Sequence, residues 1–129
     1  MKRNLKLIVE ILKDLESRKT IEAVTNQNIY VEGFSQRETY YNLELMKDAG
    51  LIEATKYDSK LSPFISVHKI TWQGHDFLDA ARNDTVWNKA EEQAKQQGQK
   101  LNELPFEVAK ALLIAATKQF FRMDGGSTS

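Results

Sequence analysis

Cysteine is absent, which excludes disulfides, thiolate metal sites and a cysteine nucleophile. Net charge is absent as well, since 18 Lys and Arg residues balance 18 Asp and Glu residues. A strongly basic chain argues for nucleic acid by electrostatics alone; here only local patches can carry that case. Long apolar runs are missing too. The longest near-apolar stretch, Ala111 to Ala116, is far too short to span a bilayer. Lys6, Glu10, Lys13 and Asp14 interrupt the opening segment, so it does not read as a signal peptide. The expected setting is the cytoplasm, with no membrane partner. Histidine is scarce: no carboxylate spacing turns His68 or His75 into a metal triad. There is no phosphate-cradling glycine loop, no nucleophile elbow and no Ser/His/Asp arrangement. Asp76 and Asp79 stand three apart on one helix, where paired acids are ordinarily solvated. The expectation is a non-enzymatic protein that needs no metal and no cofactor.

What is present fits one soluble domain: 129 residues, 41% hydrophobic and 28% charged. Asn4 can cap a helix to about Arg18, with Leu5, Ile8, Ile11, Leu12 and Leu15 along one stripe. Asn28 to Glu32 reads as a short strand closed by Gly33, whereas Thr20 to Asn28 takes no firm assignment. Ser35 with Glu38 three residues on forms a capping-box signature for a helix ending near Ala49, where Gly50 suits a left-handed C′ position. Two strands, Leu51 to Tyr57 and Phe64 to Ile70, flank a turn at 58–63. Thr71 caps a helix to about Asn83, Thr85 starts another that ends by Gly98, and Pro105 begins the last, which runs to Phe121 or Arg122. The fold class is mainly α with a β-hairpin (α+β). The organisation expected is a core at 1–97, a polar link at 98–104, a C-terminal helix at 105–122 and a flexible tail at 123–129.

A helix that ends in Ala49-Gly50-Leu51-Ile52 and feeds straight into a hairpin is the recurrent core of winged-helix domains, and Thr71-Trp72-Gln73-Gly74 resembles the start of their post-wing helix. The segment 20–34 is shorter and more strand-like than an ordinary helix-turn-helix requires. More specifically, the chain resembles an uncharacterised family of phage and prophage proteins. The resemblance lies in Met1-Lys2-Arg3 with Leu7-Ile8, in Ala49-Gly50-Leu51-Ile52-Glu53-Ala54, and in Thr71-Trp72-Gln73-Gly74-His75-Asp76-Phe77-Leu78-Asp79-Ala80. Arg82 through Lys89 and Leu104-Pro105-Phe106 complete it. Asn42 departs from it, standing where a histidine is expected in relatives. The resemblance implies a mobile-element origin and brings no established activity.

Helical projection of the segment 36–49 puts Thr39, Leu43, Met46 and Ala49 toward the core and Arg37, Tyr40, Tyr41, Glu44, Lys47 and Asp48 on the opposite arc. Arg37, Tyr40, Tyr41 and Lys47 on that arc suit groove contact with duplex DNA, and Lys56, Lys60 and Lys69 of the hairpin suit its phosphates. The same tyrosines beside Glu44 and Asp48 equally suit a protein partner, such as a host or defence protein that a phage factor engages or inhibits. The plainer readings are a solvated helix face and a hairpin edge kept soluble by lysines. Trp72 and Trp87 are expected to bury large apolar area. The last helix carries Phe106, Leu113 and Phe120 in an apolar arc broad enough to form a homodimer interface or to be covered within the chain.

Overall fold

The computed structural model describes residues 1–20, 24–58 and 60–122. The tail expected at 123–129 and Ser59 of the hairpin turn lie outside them. Along the chain run α1 (Leu5–Ser17), β1 (Val24–Thr25), a 3-10 turn (Asn26–Asn28), α2 (Gln36–Asp48), β2 (Ile52–Tyr57), β3 (Phe64–Ile70), α3 (Trp72–Ala81), α4 (Asp84–Gln96), a second 3-10 turn (Leu101–Glu103) and α5 (Phe106–Phe121). The architecture is α+β, with a three-stranded antiparallel sheet in the order β1-β3-β2. The chain divides into two compact units, Met1–Asp76 and Phe77–Ser129.

The first unit is built around α1. Its first turn is satisfied by Asn4, whose side chain accepts from the Leu7 amide at 3.1 Å. The apolar stripe read from the sequence is buried, and Leu7 and Val9 are buried beyond it. That widens the covered arc to most of the helix, as befits a central element. Each of those side chains contributes roughly 1.5–3 kcal/mol by leaving water.

In α2 the Ser35–Glu38 capping box is present in both directions, at 3.1 Å and 2.9 Å. The helix stops where expected because Gly50 takes φ 76°, a left-handed conformation that costs glycine little. The next amide, Leu51 N–H, reaches back to the Met46 carbonyl at 2.9 Å. Leu51 and Ile52 are both buried, so the chain enters β2 with two apolar anchors in the core.

The strand expected at 28–32 lies instead at Val24–Thr25, where it pairs with Val67 and Ser66 of β3. Residues 26–28 curl into the 3-10 turn because Thr25 and Asn28 cap one another, and buried Asn26 accepts from the Ile65 amide at 3.0 Å. Two residues are too few for any periodic signal, so this strand was not legible.

Between β2 and β3 the register slips at Glu53/Ala54: Glu53 faces Lys69, but Ala54 faces Val67. His68 is therefore an extra residue, a β-bulge, and the inward parity set by Ile65 and Val67 shifts so that Ile70 rather than Lys69 is buried. Beyond the sheet, Thr71 joins the elements. Its hydroxyl donates to the Gly50 carbonyl at 2.5 Å and accepts from the Gly74 amide at 3.0 Å. Gly74 is obligatory there, since a Cβ would lie 2.1 Å from the Leu51 carbonyl oxygen.

In the second unit α4 packs on α5. Their buried positions are mostly small: Val86, Ala90 and Ala94 on one, Ala109, Leu113 and Ala116 on the other. The Phe77 and Phe106 rings meet at a tilt of 46° with centroids 5.2 Å apart. Asn83, two residues before the expected start at Thr85, caps α4 by accepting from the Val86 amide at 3.0 Å. The polar link is not wholly polar, because Leu101 and Leu104 are buried in it.

Candidate docking surface on α2 and the hairpin

The core side of α2 holds Thr39, Leu43 and Met46, together with Asn42. Asn42 was not read as a core residue, yet it is fully satisfied inside. It accepts from the Asn4 amide at 2.9 Å and donates to the Glu38 carbonyl at 2.9 Å and to the Lys2 carbonyl at 3.5 Å. This ties the start of the chain to α2. No local pattern announces such a tie, because its partners lie about forty residues away in sequence. Ala49, placed inward by the projection, is exposed.

On the outer side Arg37, Lys47 and Asp48 are exposed, while Tyr40, Tyr41 and Glu44 are half-buried. Tyr40 is the unusual member. Its hydroxyl oxygen is enclosed and, among the described residues, has no hydrogen-bond partner. Burial, and next the Glu44 carboxylate, push its pKa above the ordinary 10.0. The phenol is thus held in its neutral, proton-donating form.

The hairpin lysines are not equivalent. Lys56 Nζ lies 2.7 Å from Glu44 Oε2, joining the ribbon directly to the outer arc of α2. That hydrogen bond, and then the carboxylate charge, raise the Lys56 pKa. Lys69 pairs with its cross-strand neighbour Glu53 at 3.5 Å. Lys60, near the turn, has no ion pair among the described residues, and the same holds for Arg37 and Lys47. The sequence alone shows acids and lysines on both elements but not which of them meet. Their pairing needed the register of the sheet and the approach of β2 to α2. Below the turn, Tyr57 and Phe64 stack at 4.9 Å and stiffen the ribbon's outer end. His68 on the bulge hydrogen-bonds Thr55 at 2.7 Å.

Two expectations are corrected by burial. Trp72 is 81% exposed rather than buried, because the Thr71–Gly50 and Gly74–Leu51 contacts fix α3 with this first residue turned out. Of the α5 residues named for an interface, Leu113 is only 1% exposed and Phe106 is half-buried, leaving Phe120 at the surface beside Phe121. The exposed apolar residues of α5 also include Val108 and Ile114. Among the described residues no cluster of acids and histidines could hold a metal, and no helix is long and apolar enough to cross a membrane.

Residues 2–100 match the family described as "Hypothetical protein (DUF2513)". The chain belongs to this family. A relative from Haemophilus influenzae (strain Rd), described as "Uncharacterized protein", is 42% identical over 88 residues, which cover 68% of this chain and 74% of the relative. No solved structure matches. The matched stretch holds the whole of α2 and the hairpin and ends before α5.

Proposed function

We propose that this DUF2513 protein is a non-enzymatic winged-helix module that binds duplex DNA as a cytoplasmic regulator of phage or prophage type, with α2 in the groove and the β2–β3 ribbon on the phosphates. One observation carries the reading. The Lys56–Glu44 contact at 2.7 Å makes the outer arc of α2 and the ribbon a single continuous surface, as two-element docking on a duplex requires. On that surface Arg37, Lys47 and Lys60 have no ion pair among the described residues, so they take the leading contacts. Arg37, in the first turn of α2, suits a base edge, while Lys47 and Lys60 suit the backbone. The strand order β1-β3-β2, with a helix entering the hairpin through Leu51 and Ile52, supports the scaffold assignment. The phage or prophage origin is what the resemblance of the quoted strings implies.

The test is fluorescence anisotropy with a labelled duplex at two salt concentrations. Arg37→Ala and Lys60→Ala are each expected to weaken binding, with the salt slope falling by about one per lost phosphate contact. Unchanged affinity in both variants rejects this surface.

A second reading has its own observation. Glu44 and Glu53 neutralise two of the three ribbon lysines, and half-buried Tyr40 and Tyr41 adjoin them, which suits a host or defence protein better than a polyanion. Capture of a host protein that survives nuclease treatment and is lost in Tyr41→Ala, with no duplex binding by the purified chain, favours it.

A further inference from the structure

We propose that the outer face of α5 is a self-recognition surface, on which a second copy of this chain docks antiparallel with Glu107 of each copy facing the partner's Lys118. The inference stands apart from the duplex reading. It concerns the second unit, and it holds or fails whatever α2 and the ribbon bind.

The helix has two opposite faces. Ala109, Leu113 and Ala116 are buried, and α4 packs on this helix. At about 100° per residue, Glu107, Ala111, Ile114 and Lys118 fall on the other side in one stripe, and all four are exposed. Val108 and Ala115 border the stripe along one edge and Phe121 along the other, exposed as well. The stripe is ordered. It has an acid in the first turn, apolar side chains in the middle and a base in the last turn. Neither Glu107 nor Lys118 has an ion pair among the described residues. A merely solvated face needs no apolar centre, yet here Val108 is 47%, Ile114 42% and Phe121 60% exposed on one side of one helix.

That order selects both the occupant and its direction. Glu107 and Lys118 lie about three turns apart, roughly 16 Å along the axis. A two-fold axis midway, between Leu112 and Leu113, sets Glu107 against the partner's Lys118 and Ala111 against the partner's Ile114. Each isoleucine then fills the notch above an alanine, and opposite charges close both ends of the seam. A parallel pair instead sets Glu107 against Glu107 and Lys118 against Lys118, with the helix dipoles aligned, and is repelled on both counts. An unrelated partner must match spacing, bulk and charge order separately, whereas a second copy supplies all three by symmetry. Few side chains take part, so the seam falls short of the roughly 800 Å² per partner of a standard interface, and the dimer is expected to form in the micromolar range.

Sedimentation equilibrium of the full-length chain, from about 1 to 500 μM, tests the association. A shift toward twice the chain mass of 14.8 kDa is expected across that range. Lys118→Glu puts like charges at both ends of the seam and is expected to raise the dissociation constant about tenfold or more. The swap Glu107→Lys with Lys118→Glu re-forms both pairs and is expected to recover the wild-type value to within about threefold. Direction is read separately. Because the chain has no cysteine, Glu107→Cys and Lys118→Cys chains each carry a single thiol. A short bismaleimide is expected to link a mixture of the two and to leave each variant alone unlinked. Linkage within either variant alone overturns the antiparallel arrangement. A swap that stays as weak as Lys118→Glu overturns the facing of the two positions. A wild-type chain that is monomeric at every concentration overturns the second copy as occupant and gives the face to a different partner.

Discussion

Asn42 shows how a polar residue can belong to the core. Its carboxamide meets three backbone groups, two of them in the segment leading into α1, and it is as buried as the leucines around it. Asn42→Ala leaves the Asn4 amide without its acceptor in a part-buried site. It is expected to cost about 1–3 kcal/mol, seen as a lower urea midpoint at unchanged m-value. An unchanged midpoint would show that water replaces the side chain. Tyr40 makes the second residue-level prediction. Its pKa is raised in the fold, so at alkaline pH the folded chain binds more protons than the unfolded one. The contribution is complete below the ordinary value of 10.0 and is lost as pH climbs through the raised folded value. The melting temperature of the wild type is therefore expected to fall faster above that point than that of Tyr40→Phe. Parallel curves for the two proteins would deny Tyr40 a part in the alkaline loss.

Among the elements, the junction at Leu51 through Gly74 is the least tolerant. Gly74→Ala drives a methyl group to 2.1 Å from a backbone oxygen and 2.8 Å from Ile70 Cγ2, so α3 or the hairpin must move. The expected loss is about 3 kcal/mol or more. Gly50→Ala meets no atom within 4 Å and loses only the left-handed preference, about 1–2 kcal/mol. Thermal melts of the two variants should rank in that order, and the reverse order would deny the close approach. These elements also show which signals a sequence can carry. Asn4, Ser35 with Glu38, and Gly50 act within four residues, so α1 and α2 were legible to within a residue at each end. The ribbon was legible from its alternation, but the bulge at His68 was not, because it appears only as a mismatch with the partner strand. Trp72 failed for a related reason. A tryptophan next to a helix start looks like core until the contacts of Thr71 and Gly74 set the helix's rotation. Of the candidate surface, the membership of the outer arc was legible. Which lysines were already held by acids was not, since Glu44 and Lys56 meet only after folding.

At the level of the whole molecule, charge balance is not merely global. Residues 1–76 carry 11 basic and 11 acidic side chains, and residues 77–129 carry 7 of each. Neither part steers a polyanion from a distance, so the proposed duplex affinity rests on contact-range cations. One chain offers Lys47 and Lys60 to the backbone, with Arg37 assigned to a base edge. The slope of log affinity against log salt is therefore expected near −2 for a single bound chain, at about 0.9 per phosphate. A homodimer through α5 doubles the count. The exposed Val108, Ile114, Phe120 and Phe121 motivate that assembly, since a second copy would remove them from water together. In a dimer the slope is expected near −4, at about 0.9 per phosphate, with light scattering giving twice the chain mass of 14.8 kDa. Ile114→Asp should then return both readings to the single-chain values together. A monomer mass with the steeper slope would point to basic residues outside α2 and the ribbon, with Lys2 and Lys19 in the first unit the next to substitute.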